Sequence, residues 1–382
     1  MNGISHFLEH MVFQGTKNRT SRDINEALED VGGHLNAYTG REFTAFYAKV
    51  LKRDLELALD VVSDLVKNPL FPTAELEKEK GVVVQEIKQS IDTPDDIIFD
   101  YLQATAFQNQ AIGRAILGTE ESVKSFSSDT LRNYMQSNYA ANNIVVCAAG
   151  NLEHEAFVKM VEKRMSDFRE KTSFTPEEQK YHGGFFLEKR DTEQAQVTVA
   201  FKGINYEDYN NYYPAVLLSS ILGGGMSSRL FQEIREKRGL VYTVYSFNNF
   251  HTQSGLFGIY AGTNASEVNE LVPVIANEIN KICAEKVSEQ ELLRAKTQIK
   301  ASILMSLENS SSTAEILARQ LLLYNKVIPV EEMVERIENV SFKDIQSVAQ
   351  KIFSSKPSYA MLGSINNFIS AEDLERRINA KA

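Results

Sequence analysis

ISHFLEHMVFQG (4–15), SRDINEALEDVGG (21–33), HLNAYT (34–39) and FTAFYAKV (43–50) follow one another near the start of the chain, and their order, two helices and then a hairpin, sets the architecture. The first segment starts near Asn2 or Ser5. It spaces Phe7, Leu8, Met11 and Val12 along one helical face and stops at Gly15, a residue suited to the left-handed position after a helix. Thr20 or Ser21 opens the second helix, Ile24, Ala27, Leu28 and Val31 carry its apolar face, and Gly32-Gly33 ends it. Residues 34–39 and 43–50 then read as a hairpin. Phe43, Ala45 and Tyr47 alternate with Thr44, Phe46 and Ala48, and Gly40-Arg41-Glu42 makes the turn. Helical patterns follow at 52–67 and 73–91.

Working outward, the same order recurs at 212–262: a helix in YPAVLLSSIL, a Gly-rich break, a helix in SRLFQEIREKRG, and strands in LVYTVYSFNN and SGLFGIYAGT. The endings match as well. TLRNYMQSNYAANNIVVCAAGNLEHE (130–155) and DIQSVAQKIFSSKPSYAMLGSINNFI (344–369) each read as a helix, a strand and a Gly-containing turn. At 382 residues the chain is too long for one ordinary core. The expected fold is therefore α+β in two homologous halves, 1–175 and 184–382, each a mostly antiparallel sheet covered by helices. The polar stretch around 168–183, with Pro176, is the expected linker.

Composition narrows the function. An apolar content of 43% is that of a globular protein, and no run of 18 apolar residues is present to span a membrane. A net charge of −10 argues against nucleic acid or an anionic membrane as partner and suits a cleft that takes basic peptides. Cys147 and Cys283 lack ligand or redox spacing and read as buried free thiols, which leans toward the cytoplasm or another reducing compartment. No signal peptide is visible.

Within the first helix, His6-Phe7-Leu8-Glu9-His10 sets two imidazoles four residues apart, on one face and one turn from each other, so both can reach one zinc ion. Glu9 lies between them in sequence, where a carboxylate can take a proton from an attacking water. The competing reading is a surface helix with two unrelated histidines. The apolar residues around the motif oppose it, because they set the helix against protein. A catalytic zinc normally takes three protein ligands. The helix 73–91 offers Glu75, Glu77, Glu79 and Glu86 for the third; on pattern alone, Glu75 and Glu77 suit an acidic face paired with lysines. Two histidines and a carboxylate also describe the facial triad of iron oxygenases, but those ligands sit on strands of all-β barrels. Gly223-Gly224-Gly225 lacks the pattern of a phosphate cradle and reads as a helix end. His34, His154, His182 and His251 have no ligand-spaced partner.

The histidine order is the inverzincin signature. Together with HLNAYTGREFTAFYAKV (34–50), ELEKEKGVVVQEIK (75–88) and GGGMSSRLFQEIREKRGLVYTVYS (223–246), the segment NGISHFLEHMVFQGTKNRT resembles the pitrilysin/insulinase metallopeptidases, in particular the branch like the mitochondrial processing peptidase. That resemblance implies a zinc endopeptidase binding one Zn2+ per chain. It implies metal ligands His6, His10 and Glu86, with Glu86 at the family's ligand spacing, Glu9 as general base, and Glu79 accepting from water or orienting a histidine. Asn36, Ala37 and Tyr38 match the family's peptide-binding strand. Arg235 and Tyr242 match an Arg and Tyr that act on the oxyanion or hold the peptide carbonyl; without the resemblance, Arg235 is a helix-surface charge and Tyr242 a core aromatic. The second half has no histidine on its equivalent helix, so it is expected to be inactive and to help close a substrate chamber. The resemblance also implies a homodimer or pairing with a related chain, and strands ahead of the zinc helix that this sequence lacks. The rival within the same family is a non-catalytic, partner-binding subunit, and an intact Glu9 argues against it.

Overall fold

The computed structural model describes residues 1–172 and 174–379. It divides into two compact units. One contains Met1–Gln89, Ala115–Pro176 and Ser306–Val327; the other contains Ser90–Arg114, Glu177–Met305 and the chain from Ile328 onward. Each unit thus includes a short segment from the other half of the sequence.

The first unit opens with α1 (Ile4–Val12) and α2 (Ser21–Glu29). Thr20 caps α2 reciprocally: its hydroxyl accepts from the Asp23 N–H and the Asp23 carboxylate accepts from the Thr20 N–H. β1 (His34–Thr39) and β2 (Thr44–Lys49) pair antiparallel from His34 opposite Lys49 to Thr39 opposite Thr44. α3 (Leu55–Lys67) and α4 (Thr73–Ile91) complete the arrangement around the candidate site. Phe7, Leu8, Met11 and Val12 of α1 are fully buried among Ile24, Leu28, Leu65, Phe71, Leu76 and Val83. α1 has no side-chain cap at its N-terminus. A cap is worth ~1 kcal/mol, whereas each large apolar side chain contributes ~1.5–3 kcal/mol on burial, so packing rather than capping fixes this helix.

In the second unit β3 (Gly184–Lys189), β4 (Ala195–Lys202), β5 (Val241–Phe250), β6 (Gly255–Thr263) and β7 (Ser358–Gly363) form one sheet in the order β3-β7-β4-β6-β5. Only the β3–β7 pair is parallel. The helix Pro94–Ala106 buries Ile98, Leu102 and Ala106 against Ala200, Tyr260, Ala360 and Leu362 on one face. On the other face, Phe353 of the helix Phe342–Phe353 meets Phe201 and Phe257 edge to face. Helices on both faces explain why β4, β6 and β7 are buried almost throughout rather than alternating.

Three local expectations change. The segment 144–149, expected as a strand, forms none. Its counterpart β7 is held between β3 and β4, and no strand stands beside 144–149 among the described residues. The helix expected over 228–239 is π-helical at Phe231–Glu236. Cys147 and Cys283 are half-buried rather than buried, and desolvation raises both thiols, Cys283 to about 11. The Gly-rich break does end a helix: Tyr209–Gly223 stops there, and a Cβ on Gly223 would stand 2.3 Å from the Ser246 nitrogen. No helix among the described residues is long and apolar enough to cross a membrane.

Candidate metal centre

Both ends of α1 are anchored. Before it, Gly3 takes a left-handed conformation (φ 81°) against Gly118, where an added Cβ would lie 2.6 Å from the Leu117 carbonyl oxygen. After it, Gly15 (φ 125°) accepts from the Leu70 N–H at 3.0 Å, and Lys17 N–H donates to the Asn68 carbonyl. Asp64 of α3, 5% exposed, gathers the next residues: its carboxylate accepts from Thr16 Oγ1 (2.6 Å), Asn18 Nδ2 (2.6 Å), Asn68 Nδ2 (2.8 Å) and an Arg19 guanidinium nitrogen (3.0 Å). Burial alone would push this carboxyl up; the hydrogen bonds outweigh it and hold the carboxyl below the usual range.

On the helix so held, His6 and His10 face α4 with ring centroids 4.7 Å apart. Glu86 Oε2 lies 3.6 Å from His6 Nε2 and 3.5 Å from His10 Nε2. These contacts are longer than a normal N–H···O bond. They come near the ~3.3 Å expected between ligand atoms around a tetrahedral ion with bonds of about 2.0–2.1 Å. One ligand atom from each residue lies within 4.8 Å of the other two, and among the described residues this is the single cluster of three or more His, Cys, Asp or Glu able to hold a metal. The donor set, two imidazoles and a carboxylate, fits zinc and leaves a fourth position for water.

Glu79, one further face-step along α4, accepts from His10 Nδ1 at 3.1 Å and from Gln14 Nε2 at 2.9 Å. A carboxylate only accepts, so the proton sits on Nδ1 and the Nε2 lone pair of His10 is left to face Glu86 and His6. His6 has no such support. Its Nδ1 is buried without a hydrogen-bond partner among the described residues, and burial, with His10 close by, lowers the ring to about 4. Glu75 and Glu77 pair with Lys78 and Lys80 at 2.9 Å and take no part. Val82 is 44% exposed, so the apolar side of α4 is built from Leu76, Val83, Val84 and Ile87.

Glu9 is half-buried. Desolvation pushes its carboxyl above the ordinary value, opposed by a hydrogen bond from the Thr39 hydroxyl to Glu9 Oε2. Thr39 is the residue that reading the sequence missed. The available signal was the strand alternation that puts Leu35, Ala37 and Thr39 on one face of β1, of which Leu35 packs on the core and Ala37 is buried.

Asn36, Ala37 and Tyr38 lie on β1, which pairs with β2 along one edge and with no strand along the other among the described residues. Asn36 Oδ1 accepts from the Ala37 N–H at 2.8 Å. The Tyr38 hydroxyl donates to Glu315 Oε1 at 2.9 Å; Arg319 also pairs with Glu315 and lies 5.0 Å over the Phe43 ring. Arg235 and Tyr242 belong to the second unit. Arg235 sits in the π-helical turn with its guanidinium 5.0 Å over the Phe231 ring. Tyr242 is 55% exposed, not a core aromatic, because the β5–β6 register shifts between Val241 and Thr243 and leaves it at the bulge. Its hydroxyl is 3.3 Å from Asn264 Oδ1. π-Helical turns and β-bulges recur where a side chain is re-aimed at a functional site.

Comparison with known proteins gives the family. Residues 1–120 match the family model described as "Insulinase (Peptidase family M16)", and residues 125–299 match "Peptidase M16 inactive domain". An "Uncharacterized zinc protease" of Rickettsia felis is 40% identical over 94% of this chain and 87% of its own length. The human "Mitochondrial-processing peptidase subunit beta" is 34% identical over 95% of this chain and 77% of its own. A solved protease from Helicobacter pylori superposes with a TM-score of 0.87 at 22% identity, covering 94% of this chain and 89% of that one. The chain belongs to the insulinase family of zinc proteases, peptidase family M16.

Proposed function

We propose that this chain is a zinc-dependent endopeptidase acting on extended peptides or unfolded protein segments. The observation that carries the reading is the convergence of His6, His10 and Glu86, with Glu9 presented by the same helix as the two histidines. Zinc held there, one ion per chain, would polarise the scissile carbonyl and make a water acidic enough to ionise near neutral pH. Glu9 accepts the proton of the attacking water and returns it to the leaving amine; burial raises its basicity toward that task. Glu79 keeps His10 in the tautomer that leaves Nε2 free. The open edge of β1 at Asn36, Ala37 and Tyr38 offers backbone groups to a peptide in extended conformation. Arg235 and Tyr242 are assigned as donors to the developing oxyanion, supported by the backbone irregularities that carry them. In this reading 1–175 is the catalytic domain and 184–382 its inactive counterpart. Pairing with a second copy or a related chain is part of the proposal, since the human relative is named as a subunit.

The test is Glu9→Gln, assayed by metal analysis and by cleavage of a mixed peptide library. Zinc content should stay at one per chain while turnover falls by several orders of magnitude, because only the general base is lost. Cleavage equal to wild type, or zinc lost in step with activity, overturns the mechanism.

A further inference from the structure

The hydrogen bond to the Glu9 carboxylate comes from β1 rather than from α1 or α4. Thr39 is the last residue of β1, and its hydroxyl donates to Glu9 Oε2. A hydroxyl has a single hydrogen to give, and this one is spent on the carboxylate. Across the hairpin, Thr44 is paired with Thr39 as the final rung of the ladder, and the two hydroxyl oxygens are 3.3 Å apart, so Thr44 can donate in turn. Gly40 N–H to the Phe43 carbonyl at 2.8 Å closes the turn between them. The result is a short chain of hydrogen bonds, Thr44 to Thr39 to Glu9, in which each donor strengthens the next.

We propose that Thr39 is a positioning residue that fixes the Glu9 carboxylate by one oxygen and thereby couples the general base to the strand edge that receives the peptide. The inference rests on the reading of Glu9 as general base. With Oε2 held by Thr39, Oε1 is the oxygen left to take the proton of the attacking water. The O–H bond of that water breaks and an O–H bond on Oε1 forms, while Thr39 keeps its own hydrogen throughout. Once Glu9 is neutral, the bond from Thr39 is no longer charge-assisted, which favours passing the proton on to the leaving amine. Because Thr39 continues the strand that carries Asn36, Ala37 and Tyr38, a peptide that settles along β1 and the base that serves it are set by the same backbone.

The experiment uses the full chain with Thr39→Val, Thr39→Ser and Thr44→Val, alongside Glu9→Gln. Four quantities are read for each: zinc content, melting temperature, dissociation constant of a fluorescent peptide from the metal-free protein, and kcat and KM on a quenched peptide. Thr39→Val should keep zinc, melting temperature, peptide affinity and KM close to wild type while kcat drops by about 10- to 100-fold, the scale of a misplaced catalytic group. Thr39→Ser, which restores the hydroxyl, should recover most of that loss, and Thr44→Val should show a smaller loss of the same kind. An unchanged kcat in Thr39→Val, a loss that serine does not restore, or peptide affinity falling as far as kcat would overturn the proposal. Failure of Glu9→Gln to lose activity would instead reject the mechanism on which it rests, so the two failures are told apart.

Discussion

Without zinc, His6 should add its own pH dependence to the stability of this protein. Its imidazole is 13% exposed, has no partner at Nδ1 among the described residues, and is lowered from 6.5 to about 4. Between those two values the unfolded chain binds a proton that the folded chain refuses. Stability is therefore present above pH 6.5 and is lost as pH falls toward 4. For a single group shifted in this way, linkage gives a loss of about 2 kcal/mol between pH 7 and pH 5, approaching 3 kcal/mol at pH 4. Carboxylates elsewhere also titrate, so the measurement is a difference: urea unfolding of wild type and His6→Gln, both in chelator, at pH 7 and pH 5. Glutamine cannot take the proton, and the wild-type advantage over it should shrink by about 2 kcal/mol on acidification. If the two proteins keep a constant difference to within about 0.5 kcal/mol, well below the shift calculated from linkage, the account of His6 as a buried, unsupported imidazole is wrong.

Other substitutions separate the roles around the metal. Glu86→Gln should weaken zinc binding strongly and Glu77→Gln should leave it unchanged, since only Glu86 approaches both histidines; equilibrium dialysis against a zinc indicator decides. Glu79→Ala, which removes the acceptor, should cost about 10- to 100-fold in zinc affinity by releasing the tautomer of His10, and no effect there would mean the ring is oriented by packing alone. Tyr242→Phe and Arg235→Ala should lower kcat by about 10²–10³ with smaller changes in KM if they serve the oxyanion. Unchanged steady-state kinetics in both would return them to structural roles.

The elements around the site were legible because their signals are local. The 3–4 spacing of Phe7, Leu8, Met11 and Val12, the helix start at Thr20 or Ser21 and the alternation of 34–39 against 43–50 each need only neighbouring residues to be read, and each appears as expected. Glu86 was different. Nothing in α4 distinguishes it from Glu79, and only the family spacing selected it; its approach to both histidines is a tertiary fact. The features that escaped depend on partners distant in sequence. Thr39 meets Glu9 across thirty positions, the 144–149 segment lacks the strand neighbours that hold β7, and the π-helical turn and the bulge at Tyr242 come from how β5 meets β6 and the preceding helix. A periodic pattern cannot report an added residue in a ladder.

The anchoring of α1 has a consequence for how the protein acquires its metal. Gly3 is wedged against Gly118, the four donors on Asp64 tie down the loop after the helix, and the apolar face is sealed into the core, with none of these contacts made by a metal ligand. In small zinc modules the ion drives folding, and chelation unfolds the chain. If His6, His10 and Glu86 hold zinc as proposed, the frame that carries them is built from other residues, so the free energy of capture would go into affinity instead of organisation. Loading and stripping would then be reversible events on a folded surface, and the apoprotein would be a storable intermediate that can wait for zinc.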